Sequence, residues 1–264
     1  MQLDFLIRES EKNYREKAKE FLTSHQLADF RKSPALFWKK KQGLIPDEDR
    51  PAYALGRAVH VMVLEGGEEF DRRYVVGGPI NPRTQKRFGI NTKAYMDWAI
   101  TQNKPVLAEE QFELIAQMRA SVLAHEIARE LLASGVAENV VRAEYCNIPC
   151  QIRMDWFNPK QGFVDLKTCD DLTWFEADAR RFQYLHQLAF YQAVLALKAG
   201  TEMPVHLLAV EKKEPFRCGV WRVAEEVLAH ARQENEEALN RFKQCLAENI
   251  WPSGYEELRI FDSI

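Results

Sequence analysis

The chain has 264 residues, of which 46% are hydrophobic, 28% charged and 11% aromatic, a mixture too apolar for intrinsic disorder and ample for a buried core. A formal net charge of −3 excludes a protein that coats nucleic acid by bulk electrostatics, so any phosphate contact must be local. No apolar run reaches membrane-spanning length, no export signal precedes the charged N-terminal stretch, and the five cysteines form no CxxC pair; together these predict a cytoplasmic chain with reduced thiols and no membrane partner.

In chain order, residues 24–41 (SHQLADFRKSPALFWKKK) predict two short helices, opened by an N-cap at Ser24 and divided near Ser33-Pro34, where proline suits a first helical turn. Residues 51–64 are apolar nearly all round and predict a buried helix that carries His60. A basic, loop-like stretch over 77–93 precedes amphipathic helices from about 93 to 133. From Ala143 the pattern turns to strands (AEYCNIPCQI, RMDWF, then FVDLKTC after the turn NPKQG), followed by a long helix over 175–198. Two further strands, PVHLLAV and CGVWRV, lead to a charged helix over 224–249. This order predicts an α/β fold with a mixed sheet flanked by helices, in one domain: a helical N-terminal elaboration over 1–50, a core over 51–223, and a C-terminal helix and tail over 224–264.

The densest chemical signal is Asp155 followed by Asp165-Leu166-Lys167. In a strand, residues i and i+2 share a face, so Asp165 and Lys167 point the same way, and the intervening turn lets Asp155 lie beside them. Carboxylates held this close repel unless a cation joins them, and a hard divalent ion fits that role. A D-x-K in a strand is more often a surface ion pair. Here, however, Phe163, Val164 and Leu166 make the strand apolar on both sides of Asp165, which places the motif in a central strand where an idle charge is costly. His60 in its apolar helix, and Gln187 with Tyr191 one helical turn apart, fall where such a site needs support.

Taken together, GRAVH at 56–60, Glu144, RMD at 153–155, VDLKT at 164–168 and QLAFY at 187–191 resemble the PD-(D/E)xK nucleases of the RecB-like branch, with the greatest likeness to nuclease domains of the exodeoxyribonuclease VIII type. The resemblance implies a restriction-endonuclease-like αβββαβ core. It also implies Mg²⁺ (or Mn²⁺) at one or two ions per site, held by His60, Asp155, Asp165 and the Leu166 carbonyl. Lys167 would position water or neutralise phosphate, Glu144 would stand in the outer shell, and Gln187 and Tyr191 would brace the site. The implied activity is 5′-to-3′ exonucleolysis of linear double-stranded DNA, leaving 3′ tails for a single-strand annealing recombinase, by a homotetrameric ring. Arg31, Lys32, Lys39, Lys40, Arg83, Lys86, Arg87 and Arg153 are the candidate DNA contacts, with Lys41 and Lys93 as further cations in the same segments. The alternatives are a RecB-like endonuclease and a catalytically idle DNA-end-binding protein of the same fold. An iron–sulfur variant is excluded by the wide spacing of Cys218 and Cys245 beyond Tyr191.

Overall fold

The computed structural model describes residues 4–46 and 51–260. Helix α1 (Glu11–Lys17) is followed by α2 (Ser24–Lys32) and α3 (Pro34–Lys41). The α2 cap is Thr23, one residue before the expected Ser24, because Thr23 and Gln26 close a reciprocal capping box; Ser33 caps α3 ahead of Pro34. Helix α4 (Pro51–His60) runs straight into a π-helical turn, Val61–Glu65, and then α5 (Gly67–Arg73). The region expected to be helical over 93–133 contains α6 (Lys93–Thr101), α7 (Glu109–Ala124) and α8 (Glu126–Leu132), with a short strand β2 (Val106–Leu107) that pairs with β1 (Val75–Val76).

The main sheet is β3 (Val136–Tyr145), β4 (Ile148–Asn158), β5 (Gly162–Cys169), β6 (Val205–Glu211) and β7 (Cys218–Arg222), hydrogen-bonded in that order. All neighbours are antiparallel except β5 and β6, which run parallel. A parallel pair needs a crossover, and α9 (Phe175–Arg181) with α10 (Tyr184–Ala199) supplies it; α11 (Glu225–Glu248) follows β7. The expected long helix over 175–198 is thus two helices, broken where Gln183 adopts a left-handed φ of 61°. The strand expected to start at Ala143 starts seven residues earlier. Cys146 and Asn147, both at positive φ, form a tight hairpin turn within what the alternation presents as one strand.

Each face of the sheet has its own core. On one, Leu27, Phe30, Leu188, Val194, Leu239 and Phe242 from α2, α10 and α11 pack on Ile152, Met154 and Phe163. On the other, Val59, Met62, Phe70, Ile115 and Val122 pack on Val164, Leu166, Leu208 and Val210. The parallel strands meet closely at one end. Gly162, at φ 84°, lies against Pro204, whose carbonyl accepts from Phe163 N at 3.1 Å, and a Cβ at 162 would stand 1.8 Å from that oxygen.

Candidate active site

Two local departures from regular structure create the site. The β4–β5 ladder pairs Asn158 with Gly162, Phe157 with Phe163 and Trp156 with Val164, and there its register ends. In place of the next ladder bond, the Leu166 N–H donates to Asp155 Oδ2 at 2.8 Å. A strand residue directs its N–H and C=O to the same side, so the Leu166 carbonyl also faces the opening beside Asp155. The second departure is on β3. Its register with β4 skips one pair, Glu138 opposite Asp155, and Glu138 has a φ of 57°. Across this break the sheet faces exchange: Ile152 and Met154 pack in the α10-side core, whereas Ala137 and Trp156 pack in the α4-side core. Positive φ at a non-glycine residue is costly and marks a conformation imposed by its surroundings.

Into this break projects His60, the last residue of α4. Its Nδ1 lies 3.6 Å from Asp155 Oδ2, and one donor atom from each of His60, Glu138 and Asp155 falls within 4.8 Å of the others. Burial and the nearby Asp155 carboxylate push the Glu138 carboxyl up to about 8, against the pull of Arg153, whose Nε lies 2.7 Å from Glu138 Oε2. Glu65, at the end of the π turn, adds negative charge toward Glu138 and pairs with Arg73 at 2.6 Å. The π turn's i to i+5 spacing keeps Glu65 on the side of the helix from which His60 projects. One imidazole and two crowded carboxylates form a donor set suited to a divalent cation, whose charge would relieve their repulsion.

Beside this cluster, on the α10 face, Lys167 Nζ lies 2.5 Å from Asp165 Oδ2, with the Asp165 side chain almost wholly enclosed and that of Lys167 partly exposed. Burial alone would depress the ammonium, but the Asp165 and Asp155 carboxylates reverse that and hold it protonated above its ordinary range. Burial raises the Asp165 carboxyl, and Lys167 opposes the rise. Gln187 joins the pair. Its Nε2 donates to Asp165 Oδ1 at 3.3 Å and its Oε1 accepts from Lys167 at 3.4 Å. The Tyr191 hydroxyl, pushed up to about 12 by burial, hydrogen-bonds Gln187 from one turn further along α10. Lys167 also lies over the Tyr184 ring, 4.7 Å from its centroid.

The family model described as the PDDEXK-like domain of unknown function DUF3799 matches residues 23–263, nearly the whole chain. The chain belongs to this PDDEXK-like family. Among solved structures, it superposes with a TM-score of 0.70 on a protein from Eubacterium rectale provisionally named an exonuclease, over 97% of both chains at 18% identity. That likeness establishes the shared fold. No curated protein matches the sequence at a significant level. Family, fold and the D-x-K strand together make the DUF3799 chain a nuclease of the PD-(D/E)xK type.

Of the residues singled out in the sequence, the structure brings together His60, Asp155, Asp165, Leu166, Lys167, Gln187 and Tyr191. It does not bring Glu144. That residue is exposed beside the hairpin turn, opposite Pro149, six strand positions or about 20 Å from Glu138. Glu138, which the sequence reading does not single out, stands beside His60 and Asp155 instead, and the signal that could have found it is Asn147. Reading Cys146-Asn147 as the turn fixes a register that sets residue 138 opposite 155. Four of the candidate DNA contacts are engaged within the protein. Arg31 donates to Asn235 and Gln183 at 2.9 Å each, Arg153 pairs with Glu138, Lys40 lies 2.9 Å from Asp29, and Arg87 lies 2.5 Å from Glu109. Lys32, Lys39, Lys41, Arg83, Lys86 and Lys93 are exposed. Among the described residues, no helix is long and apolar enough to cross a membrane.

Proposed function

We propose that the chain is a Mg²⁺-dependent (or Mn²⁺-dependent) exonuclease acting on linear double-stranded DNA. The observation that carries the reading is the Lys167–Asp165 pair, set at the mouth of the β4–β5 opening beside the His60, Glu138 and Asp155 donors. His60, Asp155, Glu138 and Asp165 would hold one or two ions, with the Leu166 carbonyl facing the same opening. A bound divalent ion supplies Lewis-acid polarisation of the phosphoryl oxygen and lowers the pKa of its water. The protein's own groups supply charge and position. The protonated Lys167 neutralises phosphate charge as it grows toward the transition state, Gln187 fixes the Lys167 and Asp165 side chains relative to each other, and Tyr191 fixes Gln187.

The name given to the Eubacterium rectale neighbour favours an end-directed enzyme over an endonuclease. The resemblance to nucleases of the exodeoxyribonuclease VIII type extends the reading to 5′-to-3′ polarity, a tetrameric ring in the cytoplasm, and 3′ tails passed to a single-strand annealing partner during recombination. The test is digestion of end-labelled linear duplex beside covalently closed circles, with Mg²⁺ and with EDTA. We expect 5′ label released from the linear duplex only, dependence on metal, and loss of at least about 100-fold in Lys167→Ala, the scale on which one transition-state charge contact acts. Cutting of closed circles at the linear rate would overturn the exonuclease reading, and metal-independent cleavage would overturn the site.

A further inference from the structure

Phe182 closes α9 at the helical junction that follows the D-x-K strand, and 54% of it is exposed. Single exposed apolar side chains are ordinary on protein surfaces, so position and not exposure carries the argument. The Phe182 ring centroid lies 5.9 Å from that of Tyr184, and the Tyr184 ring in turn carries the Lys167 ammonium at 4.7 Å. The exposed ring therefore stands no farther from Lys167 than those two distances laid end to end, about three nucleotide steps at a rise of ~3.4 Å each. The junction beneath it is braced. Gln183 holds its left-handed backbone while its side-chain carbonyl accepts from Arg31, which Asn235 anchors to α11. A cation completes the feature, with the Arg181 guanidinium 5.4 Å from the Phe182 centroid and exposed.

We propose that Phe182 is a base-stacking platform: it holds an unpaired base of the strand whose phosphate lies at Lys167, with Arg181 meeting the neighbouring backbone. The proposal rests on the nuclease reading. Every base has a π-face, so such a contact grips a frayed end without reading sequence, and a chain of net charge −3 gains from a hold that is not electrostatic. The experiment uses the full chain with Ca²⁺ in place of Mg²⁺ and a linear duplex carrying 2-aminopurine within three nucleotides of the 5′ end. Stacking quenches this probe. We expect quenching by the parent and by Phe182→Tyr, and its loss in Phe182→Ala and Phe182→Leu, with binding weakened roughly 5- to 150-fold, the range of one base–aromatic stack. Melting curves of all variants should match the parent, since the ring is largely solvent-exposed. Quenching by Phe182→Ala equal to that of the parent, while the parent still cleaves DNA in Mg²⁺, would overturn the platform alone. A parent that neither binds nor cleaves DNA would overturn the nuclease reading and the platform together.

Discussion

Glu138 and Glu144 share one strand, but only Glu138 reaches the His60 imidazole and the Asp155 carboxylate. Their substitutions should therefore separate cleanly. Glu138→Gln is expected to lower cleavage and divalent-ion affinity by at least about 10-fold, and Glu144→Gln to stay within about 2-fold of the parent, read from rate against metal concentration and from calorimetric titration. A Glu138→Gln variant with the parent's rate and ion affinity would show that Glu138 holds no ion. The same residues explain what the sequence reveals and what it hides. Asp155, Asp165 and Lys167 are legible because strand alternation and a recognisable NPKQG turn dictate their meeting. Glu138 is not legible, because its place depends on a left-handed backbone angle and on a turn at Cys146-Asn147 that lacks the usual glycine. For the arginines the reason differs: Arg31 and Arg153 have the charge of phosphate contacts, and only the fold reveals that Arg31 already donates to Asn235 and Gln183 and that Arg153 is ion-paired with Glu138.

At the scale of elements, the loop after β5 and the loop after β6 are tied together at the end of the sheet that carries the site. Glu211, the last residue of β6 and buried, accepts from the Leu172 and Arg217 backbone N–H groups and from the Arg217 guanidinium, which also pairs with Asp171 at 2.8 Å. The bonds from Arg217, assisted by those two N–H groups, hold the Glu211 carboxyl below its ordinary 4.5. A lowered carboxyl stabilises the fold fully above the unfolded value and loses that contribution as pH falls through the folded one. Glu211→Gln should melt a few degrees below the parent at pH 7, and the gap should close as pH falls below 4.5; a gap constant from pH 7 to 3 would refute the linkage. The π turn after α4 is another element that no periodicity reveals. The apolar pattern of 51–64 reads as one helix, whereas the wider turn from Val61 re-aims Glu65 relative to His60.

For the molecule as a whole, the proposed site, made by α4, β3, β4, β5 and α10, would couple metal binding to stability, because the donors meet only in the folded chain. Adding Mg²⁺ or Mn²⁺ at about 100 times its dissociation constant should raise the melting temperature by roughly 5–10 °C, from about 2.7 kcal/mol of linkage at 2–4 °C per kcal/mol. His60→Ala should lose most of that rise; an equal rise in parent and variant would remove His60 from the ion's coordination. Sedimentation should find a ring-sized assembly if the end-directed reading holds, and a monomer at working concentration would count against it.

The contact of Gly162 with Pro204 makes the far end of β5 a fulcrum. A methyl group there has nowhere to go but into the Pro204 carbonyl, so Gly162→Ala must lever β5 away from β6. Lys167 rides on the same strand five residues along, about 17 Å from the wedge. The variant should bind metal weakly and cleave poorly with every ligand in place, behaving in a genetic screen like an active-site mutant and growing more defective with temperature. Activity equal to the parent at all temperatures would show that the two strands can part without moving the site.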